Sequence, residues 1–321
     1  MNRRVGAVMA VAVVLTGLLA GCSSDEKPAT GLLAMLGKVK ATPQSRMSVE
    51  YGDLDRQREL AEAAPDRTRS LLGTGLGNLA QYSIPIKDGV GLDLLGMHKA
   101  IRVGVPPQWA GLVEGDYDVD AVNKRLADRG VHRDSGDDDS TNWSSGGDDE
   151  LRVDGPMAGV VPLNEFTKLR TAKGSFAYAP NQDLGWVTDP GDDTLADDPA
   201  LQDLADCLGD VLSAHIMAVG PSKLMVASGV RATTPKDATE VICAEPGADL
   251  AVQLQQRAIS QLADGQTTRQ QPWSEILPGA KVDIAGKAST CVRITLPTPA
   301  GKLIGTTAAL RADDLAELFA A

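Results

Sequence analysis

Hydrophobic residues recur along most of the chain at the spacings of strands and helices, and these spacings predict a mixed fold. Runs of alternating or continuous apolar residues, bounded by Gly, Pro or Asp, predict β-strands. Apolar residues three and four apart predict amphipathic helices. The predicted strands are residues 47–51, 100–105, 109–114, 151–161, 174–179, 215–219, 223–231, 239–244, 281–284, 289–296 and 303–310. The predicted helices are residues 53–72, with an interruption near Pro65, and then 118–130, 165–169, 198–214, 249–262 and 313–319.

Two of these helices begin at residues that favour a helix start. Asp118 and Asp198 are good N-cap residues, because a carboxylate accepts hydrogen bonds from the backbone N–H groups of the first turn. Pro199 follows Asp198, and its fixed φ suits the first helical position. These two starts predict helices over 118–130 and from 198 onward.

The order of the elements predicts an α+β fold. Several adjacent strands surround each helix, which favours mostly antiparallel sheets with helices packed on one face. The regular strand–helix alternation of a doubly wound parallel sheet is absent from the pattern. Residues 100–131 and 223–265 share the order strand, strand, helix. We therefore expect two similar α+β units, residues 46–180 and residues 181–321.

The N-terminus has the pattern of a secretory signal peptide. Arg3 and Arg4 precede an almost entirely apolar or small stretch at 5–18. This stretch is too short for a comfortable membrane span, which needs about 20 apolar residues. It leads into Leu-Ala-Gly-Cys at 19–22, which resembles the lipobox of bacterial lipoproteins. The enrichment of the chain in Ala, Gly and Asp is similarly typical of secreted proteins of actinobacteria.

The lipobox resemblance implies a lipid anchor on Cys22. In that family the Cys thiol is diacylglycerated, the chain is cut before it, and the new amino group is acylated. Residues 1–21 are then the signal peptide, and residues 22–45 are a tether that starts with a polar segment. Two acyl chains give stable attachment, so we expect the protein at the extracytoplasmic face of the cell membrane. The alternative is a plain signal peptide or anchor in which Cys22 is incidental.

The net charge argues against a nucleic acid partner and against direct attraction to an anionic membrane. The full chain has a net charge of −12, and the chain from Cys22 has a net charge of −14. Proteins that bind nucleic acid backbones present basic patches, so we expect no nucleic acid partner. Anionic lipid headgroups would repel the acidic body. The membrane is therefore expected to hold this protein through the lipid on Cys22.

Four cysteines predict one disulfide. With Cys22 lipidated, Cys207, Cys243 and Cys291 remain in an oxidising compartment. We favour a Cys207–Cys243 bridge, because Cys207 lies at the edge of the apolar stripe of a predicted helix that leads into the strand containing Cys243. Cys291 would then be a buried free thiol. Cys243–Cys291 is the alternative pairing, and no C-x-x-C motif supports a redox or zinc site.

No motif assigns a catalytic residue or a cofactor. His98, His132 and His215 are the only histidines, and no G-x-S-x-G or H-E-x-x-H motif accompanies them. The glycines of GTGLG at 73–77 lack the spacing and the preceding strand of a dinucleotide-binding loop. A triad built from residues distant in the sequence stays open, since triads are defined by geometry.

The segment 134–150 contains seven acidic residues and no Lys or Arg. Placing Asp137 at the first position of an EF-hand loop puts Asn142 where the turn needs Gly and Asp148 where a bidentate Glu belongs. We therefore expect an exposed, mobile loop without a preformed metal site. Trp143 within it is an exception to this polar pattern, and we expect its ring to be tucked into the body.

These observations predict a non-catalytic binding or interaction module of the cell envelope. Its partner would be another envelope protein or a small-molecule ligand. The alternative is an extracytoplasmic hydrolase with an unrecognised active site. A largest cavity that contains a histidine or a perturbed carboxylate beside a nucleophile would favour the enzyme. An apolar groove would favour a lipid or peptide ligand.

Overall fold

The described part of the protein is a computed structural model that comprises residues 30–136, 139–148, 150, 153–162, 164–286, 290–298, 302–305, 307 and 310–319. The predicted signal peptide and Cys22 lie outside these residues, so lipid attachment stays a prediction. Within this part of the chain, no helix is long and apolar enough to cross a bilayer.

Twelve strands of the described chain form one antiparallel sheet. The strands are β1 (Ser48–Asp53), β2 (Lys99–Val105), β3 (Gln108–Glu114), β4 (His132–Gly136), β5 (Ser140–Ser144), β6 (Lys168–Ala172), β7 (Ser175–Ala179), β8 (Ser213–Val219), β9 (Leu224–Arg231), β10 (Thr239–Glu245), β11 (Lys281–Ala285) and β12 (Cys291–Pro297). Their order in the sheet is β11-β12-β10-β9-β8-β1-β2-β3-β7-β6-β5-β4.

Helices lie in the longer connections between these strands, before β1 and after β12. The α-helices are α1 (Gly31–Leu36), α2 (Leu54–Ala63), α3 (Pro65–Thr68), α4 (Ser83–Val90), α5 (Val119–Asp128), α6 (Gly185–Thr188), α7 (Pro199–Leu208), α8 (Ala248–Asp264), α9 (Trp273–Ile276) and α10 (Ala312–Phe319). Short 3-10 helices are Gly77–Tyr82, Leu94–Gly96, Gln182–Leu184 and Leu195–Asp197. Asp118 and Asp198 cap α5 and α7 with their carboxylates. The α+β class with antiparallel strands is thus confirmed.

The pairing of β1 with β8 joins the two predicted units. Tyr51 of β1 lies opposite Ala214 of β8 on one side and Ile101 of β2 on the other. Residues 46–180 and 181–321 therefore share one sheet. Counting outward from the β1–β8 pair, the strands run β1-β2-β3-β7-β6 in one direction and β8-β9-β10-β12-β11 in the other. That the two units are similar in structure stays a prediction.

Helices cover both faces of the sheet, not the single face that we expected. On the first face, which we call the α7 face, Tyr51 and Ile101 pack in one apolar cluster with residues of α1 and α7. On the opposite, α5 face, Trp109 and Tyr178 pack with residues of α4 and α5, and farther along Ile242 packs with α8 to α10. Successive strand residues point to opposite faces. The central strands are apolar at both sets of positions and so need cover on both sides.

Some element predictions from the sequence are wrong. The described residues of 151–161 and 303–310 form no strand, and 165–169 is not a helix. The segment 165–169 instead leads into β6, where Leu169 is fully buried between Trp143 and Tyr178 of the neighbouring strands. Phe166 lies in the turn before this strand, so the apolar spacing that resembled a short helix comes from a turn and the start of a strand.

The helix predicted over 198–214 stops at Leu208. Gly209 follows it in a positive-φ conformation, with φ of 71°. The guanidinium of Arg231 donates hydrogen bonds to the carbonyl oxygens of Cys207 and Leu208. These carbonyls lie in the last turn of the helix and have no partner within it. A side chain from β9 thus satisfies the end of α7 and frees the following residues to enter β8.

The predicted tether at 22–45 is already part of the folded body from residue 30 onward. Helix α1 buries Leu32, Met35 and Leu36 against the α7 face. Gly31 begins this helix directly against the hydroxyl of Tyr51, where a Cβ atom would clash. The small apolar patch in the predicted tether therefore has a packing role. Only residues 22–29 of that segment lie outside the described chain.

Cys207 and Cys243 form a disulfide. Their Cα atoms are 6.2 Å apart, and the bridge joins α7 to β10 across 36 positions of sequence. This is the pairing that the helix-to-strand placement favoured. Cys291 of β12 is a buried free thiol in the same apolar cluster, and its burial raises the pKa of the thiol to about 12.

We expect the disulfide to stabilise the protein mainly by restricting the unfolded chain. The double variant Cys207→Ala/Cys243→Ala should lose about 4 kcal/mol of unfolding free energy on the chain-entropy model. Equilibrium unfolding in denaturant measures this loss. The matched control is Cys291→Ala, which removes a buried sulfur without opening a cross-link. The prediction would be contradicted if the double variant lost no more than twice the unfolding free energy that Cys291→Ala loses.

Candidate functional site

The acidic segment forms a β-hairpin in its described part. Residues 132–136 and 140–144 pair as β4 and β5, and β5 pairs with β6 over its whole length. Ser140, Thr141 and Trp143 are buried. The expectation of an exposed, mobile loop is therefore wrong for these residues. The alternation of Thr141 and Trp143 with polar neighbours is a strand pattern that the surrounding charge obscures. Trp143 is tucked into the body, as the sequence favoured.

This hairpin and α5 line a cavity. The cavity has a volume of about 550 Å³ and opens on the α5 face. We call it the hairpin cleft. Helix α5 contributes the lining residues Val119, Asp120, Asn123, Lys124 and Ala127. The hairpin and the residue before it contribute Val131, Arg133, Asp139, Ser140, Thr141 and Trp143. A volume of this size is in the range of small-molecule sites.

Hydrogen bonds hold the floor of the hairpin cleft in one arrangement. Asn123 Oδ1 accepts from Trp143 Nε1 at 3.2 Å and from Thr171 Oγ1 at 2.6 Å. Val122 and Leu126 of the same helix are buried in one apolar cluster with Trp143. Asn123 therefore faces the sheet from a helix that packing already fixes. The result is a preformed cleft with an aromatic ring and an amide in its floor.

The charged groups of the hairpin cleft have both signs. Asp120 and Asp139 supply carboxylates, and Lys124 and Arg133 supply cations. Lys124 Nζ lies 2.6 Å from Asp128 Oδ2 at the exposed surface of α5. Serine and threonine hydroxyls add donors and acceptors to the same lining. This lining suits a polar small molecule with several hydrogen-bonding groups better than an acyl chain.

No histidine lines the hairpin cleft. His132 is exposed on β4, and its neighbours 131 and 133 line the cleft in its place. His98 is exposed on another part of the surface, where its Nδ1 lies 2.9 Å from Asp55 Oδ2. This hydrogen bond to Asp55 raises the pKa of His98. The three histidines therefore all lie outside the lining of the hairpin cleft.

His215 belongs to a row of polar side chains across the middle of the α5 face. It lies opposite Glu50 of β1 and Ser228 of β9, and Glu50 lies opposite Arg102 of β2. His215 Nε2 is 3.4 Å from the hydroxyl oxygen of Ser48. Burial lowers the pKa of His215, and the nearby charge of Glu50 opposes part of that effect.

Arg102 and Glu165 continue this polar row into the core. The Arg102 guanidinium lies 4.2 Å above the ring of Trp109, and its Nη2 is 3.2 Å from Glu165 Oε1. Glu165 is buried. Burial raises its pKa, and the positive charge of Arg102 lowers it in part. The sequence alone did not indicate Arg102, Glu165 and Glu50, because isolated charges among apolar residues form no local motif.

The GTGLG run packs onto the same polar row. Gly75 has a φ of 97° and donates its backbone N–H to Glu50 Oε1 at 3.0 Å. Gly77 has a φ of 56°, and a Cβ atom there would clash with the guanidinium of Arg102. The glycines thus allow a backbone loop to lie directly on the sheet. This explains the run without a nucleotide.

Among the described residues, no group of three or more His, Cys, Asp and Glu side chains could hold a metal ion. Asp137, Asp138 and Asp149 of the acidic segment lie outside those residues. The EF-hand alignment from Asp137 is therefore not tested by the structure.

Comparison with known proteins finds no family. No family model matches the chain, and no curated protein matches it. A solved structure described as crystal form I of TP0453 is 11% identical in sequence, with 91% of this chain and 98% of that chain covered and a TM-score of 0.39. A similarity at this level carries no functional argument.

The lowered pKa of His215 predicts a specific pH dependence of stability. An unfolded histidine has a pKa of about 6.5. The pKa of His215 is lower in the folded protein, so the unfolded chain binds more protons than the folded one as the pH falls below that value. Stability should therefore fall as the pH drops from about 6.5 through the folded pKa. His215→Gln, which can still bond to Ser48, should lose less stability than wild type between pH 7 and pH 5.

Chemical denaturation at a series of pH values measures this difference. The control is His132→Gln, which removes an exposed histidine from β4. If the unfolding free energies of wild type and His215→Gln changed equally with pH, the pKa of His215 would not be lowered in the folded protein.

Proposed function

We propose that this protein is a lipid-anchored, extracytoplasmic binding protein whose hairpin cleft takes a polar small molecule. The observation that carries the binding part is the cleft itself. It is large enough for a small molecule, has hydrogen-bonding groups and charges of both signs, and contains no histidine in its lining. The resemblance of residues 19–22 to a lipobox supports the anchoring part.

The proposed anchor would keep the cleft close to the membrane surface. Seven residues lie between Cys22 and Thr30, at which the described part of the chain begins, so eight Cα–Cα steps join these two residues. Fully extended, they span about 27 Å at most. The acidic body gains nothing from anionic headgroups, so the tether sets its distance from the bilayer. A binding protein at this position meets small molecules that arrive at the outer face of the membrane.

The anchor is tested by Cys22→Ala. Without the thiol, no diacylglyceryl group can be attached, so the protein should be released from membranes or accumulate unprocessed. Metabolic labelling with a palmitate analogue, followed by membrane fractionation, measures both effects. Ser23→Ala is the control, because it alters the adjacent residue and keeps the thiol. Label retained by the Cys22→Ala protein would contradict lipid attachment at Cys22.

The cleft is tested by filling it. Ala127 is an exposed residue of α5 that lines the hairpin cleft, and Ala121 is an exposed residue of the same helix outside the lining. Ala127→Trp should block binding because the ring fills the cleft, whereas Ala121→Trp should leave binding intact. The two variants are matched, because each adds the same ring to the same helix. Full-length proteins are incubated with envelope extract, washed and heated, and the released small molecules are identified by mass spectrometry.

The expected result is a compound enriched on wild type and on Ala121→Trp but absent from Ala127→Trp. Equal enrichment on all three proteins would place the ligand elsewhere on the molecule. The absence of any enriched compound on wild type would argue against a binding protein for small molecules.

A hydrolase is the second candidate, and the contact between Ser48 and His215 favours it. A histidine whose pKa is lowered stays neutral near pH 7 and can accept a proton from a serine. Neither residue lines the hairpin cleft. The binding proposal rests on a cavity with its recognition groups in place, and we therefore prefer it.

A further inference from the structure

We propose a second site, on the α7 face, that binds a small monocarboxylate with a short apolar body. The site is a cavity of about 290 Å³ above β3, β7 and β6. We call it the Arg170 cavity. It lies on the opposite side of the sheet from the hairpin cleft, so its proposal is independent of the proposed function.

Small side chains on three adjacent strands create the Arg170 cavity. Ala177 of β7 lies between Leu112 of β3 and Arg170 of β6 in one cross-strand row. Ser175 lies between Glu114 and Ala172 in the next row. Alanine and serine leave space at the sheet surface where larger residues fill the core elsewhere.

Two chain segments form the walls of the Arg170 cavity. Gly37 and Lys38, which follow α1, contribute one side, and Val187, Thr188 and Pro190 contribute the other. The lining therefore combines an apolar part with a few polar groups. That combination is typical of small-molecule sites.

Arg170 gives the cavity its positive charge. Its Nη1 donates to the carbonyl oxygen of Thr188 at 2.9 Å, and its Nη2 donates to Ser140 Oγ at 3.1 Å. Both partners are neutral. Within the described chain, no carboxylate forms an ion pair with Arg170, and its Nε is buried without a hydrogen-bond partner. A partly buried cation without a counter-ion is unusual in a chain with a net charge of −12.

The charge count selects a monoanion. Lys38, the other cation of the lining, forms an ion pair with Glu114, the carboxylate of the lining. Arg170 therefore leaves one excess positive charge. A carboxylate balances one charge and matches the donor geometry of a guanidinium, which favours paired hydrogen bonds to two oxygens. Inorganic phosphate carries more charge and has no apolar part to contact Leu112, Val187 and Ala177.

The test measures the binding of hexanoate to the full-length protein in non-ionic detergent by calorimetry and by its effect on the thermal midpoint. Hexanamide is the neutral ligand of matched shape, and inorganic phosphate is the competing anion. Hexanoate should bind saturably and raise the midpoint. Hexanamide and phosphate should each bind at least about tenfold more weakly, because each loses either the charge-assisted hydrogen bonds or the apolar contact.

Two variants locate the binding. Arg170→Gln removes the charge and should weaken hexanoate binding at least about tenfold. Ala172→Leu fills the cavity and leaves Arg170 in place, so it tests the proposal even if Arg170→Gln fails to fold. Arg293→Gln is the matched control, because Arg293 is a partly buried arginine of β12 that pairs with Asp283 outside the cavity.

The proposal holds if wild type and Arg293→Gln bind hexanoate while Ala172→Leu and folded Arg170→Gln do not. Unchanged hexanoate binding by Ala172→Leu would overturn it. Equal binding of hexanamide, or binding of phosphate but not of hexanoate, would overturn the assignment of a carboxylate.

Discussion

The direct pairing of β1 with β8 is the contact on which the rest of the structure depends. It joins the strands of residues 46–180 to those of residues 181–321 in one antiparallel sheet. Val49 and Ile216, which lie opposite each other in this pair, are both fully buried. A sheet buried at its centre needs cover on both sides, and this need distributes the helices over two faces.

The two cavities occur where this cover becomes thin. At the centre of the sheet, α1 and α7 fill one face with large apolar side chains. Toward β5, β6 and β7, the α7 face has alanine and serine under the ends of α1 and α6, and the Arg170 cavity opens there. On the opposite face, α5 stands off from the β4–β5 hairpin and leaves the hairpin cleft. The same end of the sheet therefore has a cavity on each side.

The polar row of His215, Glu50 and Arg102 shows a different use of a buried sheet. These residues face one another across neighbouring strands, and the backbone of the glycine-rich run covers part of them. Buried charges need partners, and here cross-strand neighbours and one loop supply them. The ion pair of Arg102 with Glu165 extends the row into the core.

The sequence by itself determined the local features of this protein. The caps at Asp118 and Asp198, most strands and helices, and the α+β class follow from side-chain spacing, since each depends on residues close together in the chain. The sequence favoured a bridge between Cys207 and Cys243 and left Cys243–Cys291 as the alternative, and the tertiary structure decided between them. Cys243 and Cys291 lie in the same apolar cluster, and the packing of α7 brings Cys207 to Cys243.

Only the tertiary structure decided the strand order, the cover on both faces and the two cavities. Strand order depends on pairings between distant segments, and side-chain periodicity does not specify which strands pair. The strand β5 was predicted as a loop, because acidic residues surround Thr141 and Trp143. Charge along the chain does not show which alternate residues face a core. Arg170 is an ordinary charged residue in the sequence, and only the fold places it in a cavity without a counter-ion.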